Sequence, residues 1–315
     1  MVGHSHFDHL WGAERIAKRT GATIIGSHET VRIMEQEGVP LAQLLPVGGG
    51  ECIRLSSEVT VAVYPSLHSC VWTPKGGMYQ PDEVCLGDLG VTYQERMARL
   101  QEVMQGLASL GPEVLSHLQV SAQGVRGDGG SFVYLFETPE GSLLYQDTSG
   151  HWSGILHHMR PDVAILAAAG RGTIDGEPIQ GTLAQFVARQ ADLLRPRRVI
   201  LAHHDDWLPG FSVPTRIAPI REAMARSVPR TELVELGYLS GYPLFFVSKR
   251  AELTHPRFRC ACQSCLLAHC SDTMRKKRPG VSGEIKHGRD PAKTVHRLAC
   301  RPRCLLRLNR TARSS

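Results

Sequence analysis

The sequence has no run of roughly 18 or more apolar residues, so no helix of this chain is expected to span a membrane. It opens on a polar motif at His4, a beginning that lacks the pattern of a secretory leader. Before residue 249 the only cysteines are Cys52, Cys70 and Cys85, and their scattered spacing argues against a disulfide framework. These absences predict a reducing, cytoplasmic location for a chain that is 42% apolar and can form a sizeable core.

Positive charge is scarce in the body of the chain and concentrated at its C-terminal end. Residues 249–315 hold 17 Lys and Arg against 4 Asp and Glu, although the whole chain has a net charge of only +6. The part before residue 249 is therefore mildly acidic, as in an ordinary globular domain. The basic, weakly periodic end predicts a disordered tail over residues 249–315, following a domain over residues 1–248.

Three interpretations of this tail stay open. Cysteines at 262, 265, 300 and 304 have a spacing that a zinc knuckle could use, although no finger-like pattern lies between them. Charge alone permits nucleic-acid binding, but no aromatic residues are interleaved with the basic ones, which argues against nucleic acid as a partner. A non-native extension also accounts for the abrupt change in composition. A small-molecule substrate is thus the expected partner, and the sequence does not determine the oligomeric state.

The segment His4-Ser5-His6-Phe7-Asp8-His9 concentrates four potential metal ligands in six residues. In an extended segment residues i and i+2 point to the same side, so His4 and His6 can offer two imidazoles to one cation. An amphipathic helix is predicted over residues 10–19, which places Asp8 and His9 where the chain turns into that helix and leaves Phe7 to anchor the loop. Imidazole and carboxylate together favour zinc, with manganese or iron as alternatives. A surface His-rich turn is the competing interpretation.

The pattern H-x-H-x-D-H in this segment resembles the signature of the metallo-β-lactamase fold superfamily. The resemblance implies three further ligands, each after a strand, and the candidates that follow apolar runs are His68, Asp147 and His203. Asp147 lies in Gln-Asp-Thr-Ser-Gly, which is similar to the family's Gly-Asp-Thr/Ser-Gly element with Gln146 in place of the first Gly. The contexts Pro-Ser-Leu-His-Ser and His-His-Asp-Asp-Trp resemble the branch of ascorbate-phosphate lactonases and N-acyl-phosphatidylethanolamine phospholipases. The resemblance covers about residues 1–248.

The resemblance implies a site for two divalent metal ions, for which zinc is favoured. It assigns His4, His6 and His68 to one ion. It assigns Asp8, His9 and His203 to the other, with Asp147 as the bridge. A carboxylate bridge offsets the repulsion of two cations, and water between them has its pKa lowered towards about 7, which makes it a bridging hydroxide nucleophile. Asp8 is the predicted catalytic residue that orients this water and takes its proton. The implied activity is hydrolysis of an ester, lactone or phosphodiester-type substrate.

Strand and helix patterns alternate up to about residue 248 and predict an α/β fold. The resemblance makes this fold the αββα metallo-β-lactamase sandwich, lacking most of its first half because only Met1-Val2-Gly3 precede the motif. On this interpretation the chain is a fragment, and its activity depends on the missing strands. Residues 70–127 form an excursion with helical spacing over residues 93–117. It is interpreted either as packing on the sheet or as a lid over an apolar substrate pocket.

The other predicted elements follow from apolar runs and turn residues. Helices are expected over residues 29–37, 183–194 and 218–225. Strands are expected over residues 21–27, 52–55, 59–64, 131–137, 143–146, 162–168, 199–202, 233–236 and 243–247.

Two further residues are candidates for binding substrate. His151 follows Asp147 closely and could bind substrate or simply begin a helix. Arg171 lies in a glycine-flanked loop and could recognise an anionic group, or it could be a solvated loop residue. His204 is expected to point away from His203, and Asp205 and Asp206 could orient a ligand imidazole.

Two other classes of function stay open beside the hydrolase. One is an inactive fragment or a binding protein whose basic tail contacts nucleic acid. The other is a nuclease of the same superfamily, which would need a domain that grips nucleic acid.

Overall fold

The computed structural model describes residues 1–70, 80–84, 111–121, 129–207, 212–237 and 240–245, with isolated positions between 92 and 105. The chain divides into two units, Met1–Cys260 and Ala261–Ser315, and the second lies wholly outside the described residues. The disorder expected of the 249–315 tail, and the zinc knuckle left open there, also fall outside the described part. The domain boundary at residue 248 therefore stays a prediction.

The described residues form seven α-helices and twelve strands. The helices are α1 Phe7–Leu10, α2 Ala13–Thr20, α3 His28–Gln36, α4 Pro112–Ser121, α5 Ser153–Leu156, α6 Leu183–Leu194 and α7 Ile217–Ser227. The strands are β1 Ile24–Gly26, β2 Leu44–Pro46, β3 Cys52–Arg54, β4 Thr60–Pro65, β5 Phe132–Glu137, β6 Ser142–Gln146, β7 Gly150–His151, β8 Val163–Ala167, β9 Thr173–Ile174, β10 Glu177–Pro178, β11 Arg198–Ala202 and β12 Glu232–Val234. Among them, no helix is long and apolar enough to cross a membrane.

The largest sheet has seven strands in the order β12-β11-β8-β6-β5-β4-β3. The strands from β12 to β6 are parallel to their neighbours, and those from β6 to β3 are antiparallel. Because β4 and β6 both run antiparallel to β5, the carboxyl ends of β4, β6, β8 and β11 lie at one edge. Side chains that follow these strands meet at that edge, where α/β proteins commonly place their sites.

The core is arranged in four layers. The parallel pair β1-β2 turns Ile25 towards Val61 and Tyr134 of the large sheet, whereas Ile24 faces α3 and packs with Ile33. Helices α6 and α7 cover the opposite face of the large sheet, in a cluster that includes Phe186. Alternate residues of a strand point to opposite faces, so β1 can contact both layers. The order helix, sheet, sheet, helix confirms the predicted αββα sandwich.

Helix α6 begins and ends where its sequence predicts. Thr182 and Gln185 form a capping box, in which each side chain binds the backbone of the other. The helix ends at Leu194, and the C-cap residue Arg195 adopts a left-handed conformation just before Pro196.

Three predicted elements are wrong in part. The helix expected over residues 10–19 is split into α1 and α2, because Gly12 adopts a φ of 79° between them. The helix expected over residues 93–117 is interrupted at the non-helical Gly111, and α4 begins at Pro112, a favourable first helical residue. Most of residues 93–110 lie outside the described residues, as does most of the 70–127 excursion that was interpreted as a possible lid. Residues 243–245 do not form the expected strand, and residues 246–247 are not described.

Candidate metal centre

All seven predicted ligands lie at the carboxyl edge of the large sheet. His4 and His6 precede α1, which carries Asp8 and His9, whereas the other three follow β4, β6 and β11: His68, Asp147 and His203. The first segment reaches this edge through backbone hydrogen bonds from Val2 to Ile25 and from Phe132 to Gly3. The N-terminal motif thus lies between the two sheets and above the strand ends.

His4, His6 and His68 form the first group that could hold a metal ion. Their ring centroids lie 4.5 to 4.8 Å apart, and the rings meet edge to face. One ligand nitrogen of each lies within 4.8 Å of the other two. The i and i+2 spacing of His4 and His6 therefore does bring both imidazoles to one point.

Asp8, His9 and His203 form the second group. The Asp8 carboxylate lies 3.3 Å from Nε2 of His9 and 3.2 Å from Nε2 of His203. The rings of His9 and His203 stack with centroids 4.8 Å apart and an interplanar angle of 7°. His203 adopts a φ of 53°, a left-handed conformation that is uncommon for residues other than glycine and often marks a functional site.

Asp147 joins the two groups. Its Oδ1 lies 3.1 Å from Nδ1 of His4, and its Oδ2 lies 3.1 Å from Nδ1 of His9. The Gly3 amide also donates to Oδ2 at 3.1 Å. One carboxylate therefore contacts an imidazole of each group, which is the position that a bridging ligand needs.

The carboxylates in this cluster are held ionised. Burial would raise the pKa of Asp147, but contacts with His4 and His9 hold it below its ordinary value. Burial would likewise raise the pKa of Asp8, and hydrogen bonds with His203 and His9 hold it well below that value. Both groups therefore offer negative charge at neutral pH.

The imidazoles fall into two classes. Burial lowers the pKa of His4 despite the nearby Asp147, and burial with the adjacent His4 and His6 lowers that of His68 well below its ordinary value. Burial would also lower the pKa of His9, but Asp147 and Asp8 raise it to about 10. Neutral imidazole is the form that binds metal, so His4 and His68 are ready to ligate, whereas His9 would release a proton on binding.

The donor set fits a metal ion. Nε2 of His4 is buried and has no hydrogen-bond partner among the described residues, although Nδ1 of the same ring contacts Asp147. A buried ring nitrogen without a partner is unfavourable, and a cation ligated by His6 and His68 would satisfy it. Nitrogen and oxygen ligands of this kind suit zinc, manganese or iron.

His151 and Arg171 are both buried, with 1% exposure each. His151 lies in β7, so the alternative that it begins a helix is wrong. Its ring packs 5.3 Å from that of Phe186, and burial lowers its pKa to about 4. The alternative that Arg171 is a solvated loop residue is also wrong. Their roles in substrate binding stay predictions.

The residues after His203 are only partly as expected. His204 is half-buried and belongs to neither ligand group. Asp206 accepts a hydrogen bond from Ser212 at 2.6 Å. Trp207 packs on Phe7 and lies 5.3 Å from the His203 ring, so an apolar wall borders the second group. Phe7 thus anchors its loop, as predicted, in a small cluster with Leu118 of α4.

Sequence reasoning missed the polar residues that support the ligand loops. The hydroxyl of Ser5, between His4 and His6, lies 2.9 Å from those of Ser27 and Thr30. Ser27 caps α3, and an N-cap serine is recognisable from sequence, but its contact with Ser5 is not. Thr148, next to Asp147, accepts a hydrogen bond from the amide of Ser69 at 3.1 Å. The loops that carry His68 and Asp147 are therefore connected.

Comparison with known proteins finds similarity in the first part of the chain. Residues 3–98 match the model of the Metallo-beta-lactamase superfamily. A UPF0173 metal-dependent hydrolase of Pyrobaculum arsenaticum is 37% identical over 95 residues, which are 27% of this chain and 42% of that protein. The corresponding protein of Pyrobaculum islandicum is 33% identical over 121 residues, 35% of this chain and 52% of the relative. The matches thus span about half the length of these relatives, and the predicted resemblance is confirmed over this part.

Solved structures of metallo-hydrolases are also similar to the chain. Igni18, a metallo hydrolase from Ignicoccus hospitalis, gives a TM-score of 0.43 at 17% identity and covers 75% of this chain and 74% of that one. An isothiocyanate hydrolase from Delia radicum gut bacteria gives a TM-score of 0.40 at 10% identity, with 75% and 72% covered.

Proposed function

We propose that this chain, whose residues 3–98 match the metallo-beta-lactamase superfamily, carries a dinuclear metal site that hydrolyses an ester, lactone or phosphodiester-type substrate. The observation that carries the proposal is the position of Asp147, which lies 3.1 Å from an imidazole of each ligand group. Relatives named metal-dependent hydrolases support the class of activity.

Two divalent cations bound here would supply a hydroxide nucleophile at neutral pH and polarise the carbonyl or phosphoryl oxygen of the substrate. The residues of this chain would do the rest. His4, His6 and His68 would hold one cation, and Asp8, His9 and His203 the other. Asp147 would offset the repulsion between the two cations. Zinc is the proposed metal, because imidazoles dominate the donor set.

Asp8 is the proposed proton acceptor. Its carboxylate lies within 3.3 Å of both His9 and His203, and these contacts keep it ionised. An ionised carboxylate fixed by two imidazoles can orient water and accept its proton without a change of position.

Metal content and hydrolysis of the full chain test the proposal. The protein would be stripped with chelator, reloaded with zinc, manganese or iron(II), dialysed and measured by elemental analysis. Hydrolysis of nitrophenyl esters, lactones and bis-nitrophenyl phosphate would be followed in parallel. We expect about two metal ions per chain and metal-dependent hydrolysis of at least one of these classes.

A His4→Ala variant should lose metal and hydrolysis together. His158→Ala is the matched control, because His158 is an exposed histidine that is not among the seven proposed ligands. The proposal is wrong if the wild-type protein binds no metal, or if His4→Ala binds as much metal as the control.

A further inference from the structure

Two glutamines lie in the core beside the proposed metal centre. Gln146 is the last residue of β6 and immediately precedes Asp147, and Gln190 lies in the middle of α6. Both are fully buried. The surrounding face of α6 is apolar, with Phe186, Val187 and Leu194 in the same core. Gln190 therefore occupies a position where helical spacing calls for an apolar residue.

The two side chains form a chain of hydrogen bonds that ends at the Asp147 turn. Nε2 of Gln190 donates to Oε1 of Gln146. Nε2 of Gln146 donates to the carbonyl of Gly150 and to Oγ of Ser66, the latter at 3.3 Å. The Gln146 side chain thus spans the turn from residue 147 to residue 150 and ties its two ends together.

The Gly150 carbonyl fixes the orientation of both amides. A carbonyl only accepts hydrogen bonds, so Gln146 must turn its NH2 group towards Gly150 and its oxygen towards Gln190. Gln190 must in turn present its NH2 group to that oxygen. This orientation leaves Oε1 of Gln190 without a partner among the described residues. A half-satisfied buried amide destabilises a fold, so stability alone does not account for Gln190.

The same network reaches the loop of His68. Ser66, two residues before His68, donates from Oγ to the Gly150 carbonyl at 2.8 Å. That carbonyl therefore receives hydrogen bonds from both Gln146 and Ser66. The turn that carries Asp147 and the loop that carries His68 share one fixed acceptor, which sets the position of one turn relative to the other.

We propose that Gln146 and Gln190 are positioning residues that hold the Asp147 carboxylate between the two ligand groups. This inference rests on the proposed function. It gives a role to the residue at which the chain departs from the family's Gly-Asp pattern, since a glycine at position 146 could not span the turn.

The test measures zinc affinity with a competing chelator for the full chain and for Gln146→Met, Gln190→Met and the double variant. Methionine keeps the approximate length and volume of glutamine but can make none of these amide hydrogen bonds. We expect Gln146→Met to weaken binding of the second zinc ion by about 10- to 100-fold. Gln190→Met should weaken it less, and the double variant should be close to Gln146→Met because the two residues act in series.

A second readout needs no metal. In the stripped protein, hydrogen exchange at the amides of residues 147–150 should be faster in both single variants than in the wild type. Gln190→Met removes the unpaired Oε1 of Gln190 but leaves Oε1 of Gln146 without its donor, so its melting temperature should change little. A variant that melts no lower yet binds zinc more weakly separates positioning from a general loss of stability.

Gln43→Met is the matched control. Nε2 of Gln43 donates to the carbonyls of Ala17 and Ala22, away from the seven proposed ligands, so that this variant loses comparable hydrogen bonds. It should leave second-site zinc affinity unchanged. Unchanged affinity in Gln146→Met and Gln190→Met, or an equal loss in Gln43→Met, would overturn the positioning role while a two-zinc wild type upheld the proposed function. A wild type that binds fewer than two zinc ions would overturn both.

Discussion

Nε2 of His203 lies 3.2 Å from the carboxylate of Asp8, although 195 residues separate them in the chain. Asp8 belongs to the one-turn helix α1, and His203 follows strand β11. The contact requires the N-terminal segment to be docked on the large sheet. It therefore reports whether the second ligand group is assembled.

Replacing His203 by alanine should empty the second ligand group and leave the first. We expect His203→Ala to bind about one metal ion instead of two and to lose at least about 100-fold of its hydrolytic rate. Elemental analysis and initial rates measure the two effects. His204→Ala is the control, because His204 is adjacent in sequence but is not among the seven proposed ligands. Equal metal content in the two variants would contradict this assignment.

His151 predicts a pH dependence of stability that is separate from the ligand cluster. Burial lowers its pKa in the folded protein to about 4, against an ordinary value near 6.5. Between these values the unfolded chain binds a proton that the folded protein does not, so the free energy of unfolding falls as pH falls from about 6.5 to 4. The loss is on the order of 3 kcal/mol.

His151→Phe should remove this acid-side loss, since phenylalanine does not titrate and can pack against Phe186. Urea unfolding of both proteins between pH 4 and 7 measures the difference. Parallel curves for the two proteins over this range would show that His151 does not titrate as expected.

Gly150 and Gly154 differ in what a methyl group would meet. A Cβ at Gly150 would lie 2.1 Å from the carbonyl oxygen of Leu67, whereas one at Gly154 would have nothing within 4 Å. Gly150→Ala should therefore push the Asp147 turn away from the His68 loop. We expect it to lower the free energy of unfolding by about 1–3 kcal/mol and to weaken metal binding. Gly154→Ala in helix α5 should be neutral or stabilise by about 0.5–1 kcal/mol. Thermal unfolding and metal titration check both, and equal effects would refute the close approach.

Arg198 should contribute more to stability than an exposed arginine does. It is largely buried, donates to Glu232 at 2.8 Å and to the carbonyls of Pro243 and Leu244 at 3.2 Å each. Arg198→Met should lower the free energy of unfolding by about 1–3 kcal/mol, because these acceptors lose a charged donor. Arg221→Met, which removes an exposed ion pair with Glu235, should change it by less than about 1 kcal/mol. Denaturant unfolding compares the two variants, and equal losses would show that the hydrogen bonds of Arg198 contribute no more than an exposed ion pair.

The ligand cluster could be predicted because each ligand follows a local pattern. His4 to His9 form a compact motif, and His68, Asp147 and His203 each end a short apolar run that the structure shows as a strand. Parallel strands bring such positions to one edge, so chain order and strand ends suffice to assemble the group. The four layers also follow from alternation, as in β1, where Ile24 and Ile25 face different layers.

The remaining features depend on contacts that no local pattern encodes. The hydrogen bond between Gln146 and Gln190 joins residues 44 positions apart and contradicts the apolar pattern of its helix. Beginning a helix was one of two interpretations of His151, but the structure places it in β7, two residues before α5 begins. The helix expected over residues 10–19 followed the amphipathic pattern and passed over Gly12, whose left-handed conformation separates α1 from α2. The tail and most of the 70–127 excursion lie outside the described residues, so the predictions made for them stay predictions.

The first nine residues hold four of the seven proposed ligands, yet few backbone hydrogen bonds attach Met1–Gly3 to the strands beside it. Cations ligated both by this segment and by His68, Asp147 and His203 would hold the segment on the large sheet. Ions that bind only when residues 1–9 are docked on the sheet stabilise that docked state by mass action, so the docked fraction depends on free metal concentration. Protease cleavage near Arg15 would then report whether metal is bound. We expect cleavage to be rapid in the presence of chelator and slow in the metal-loaded protein.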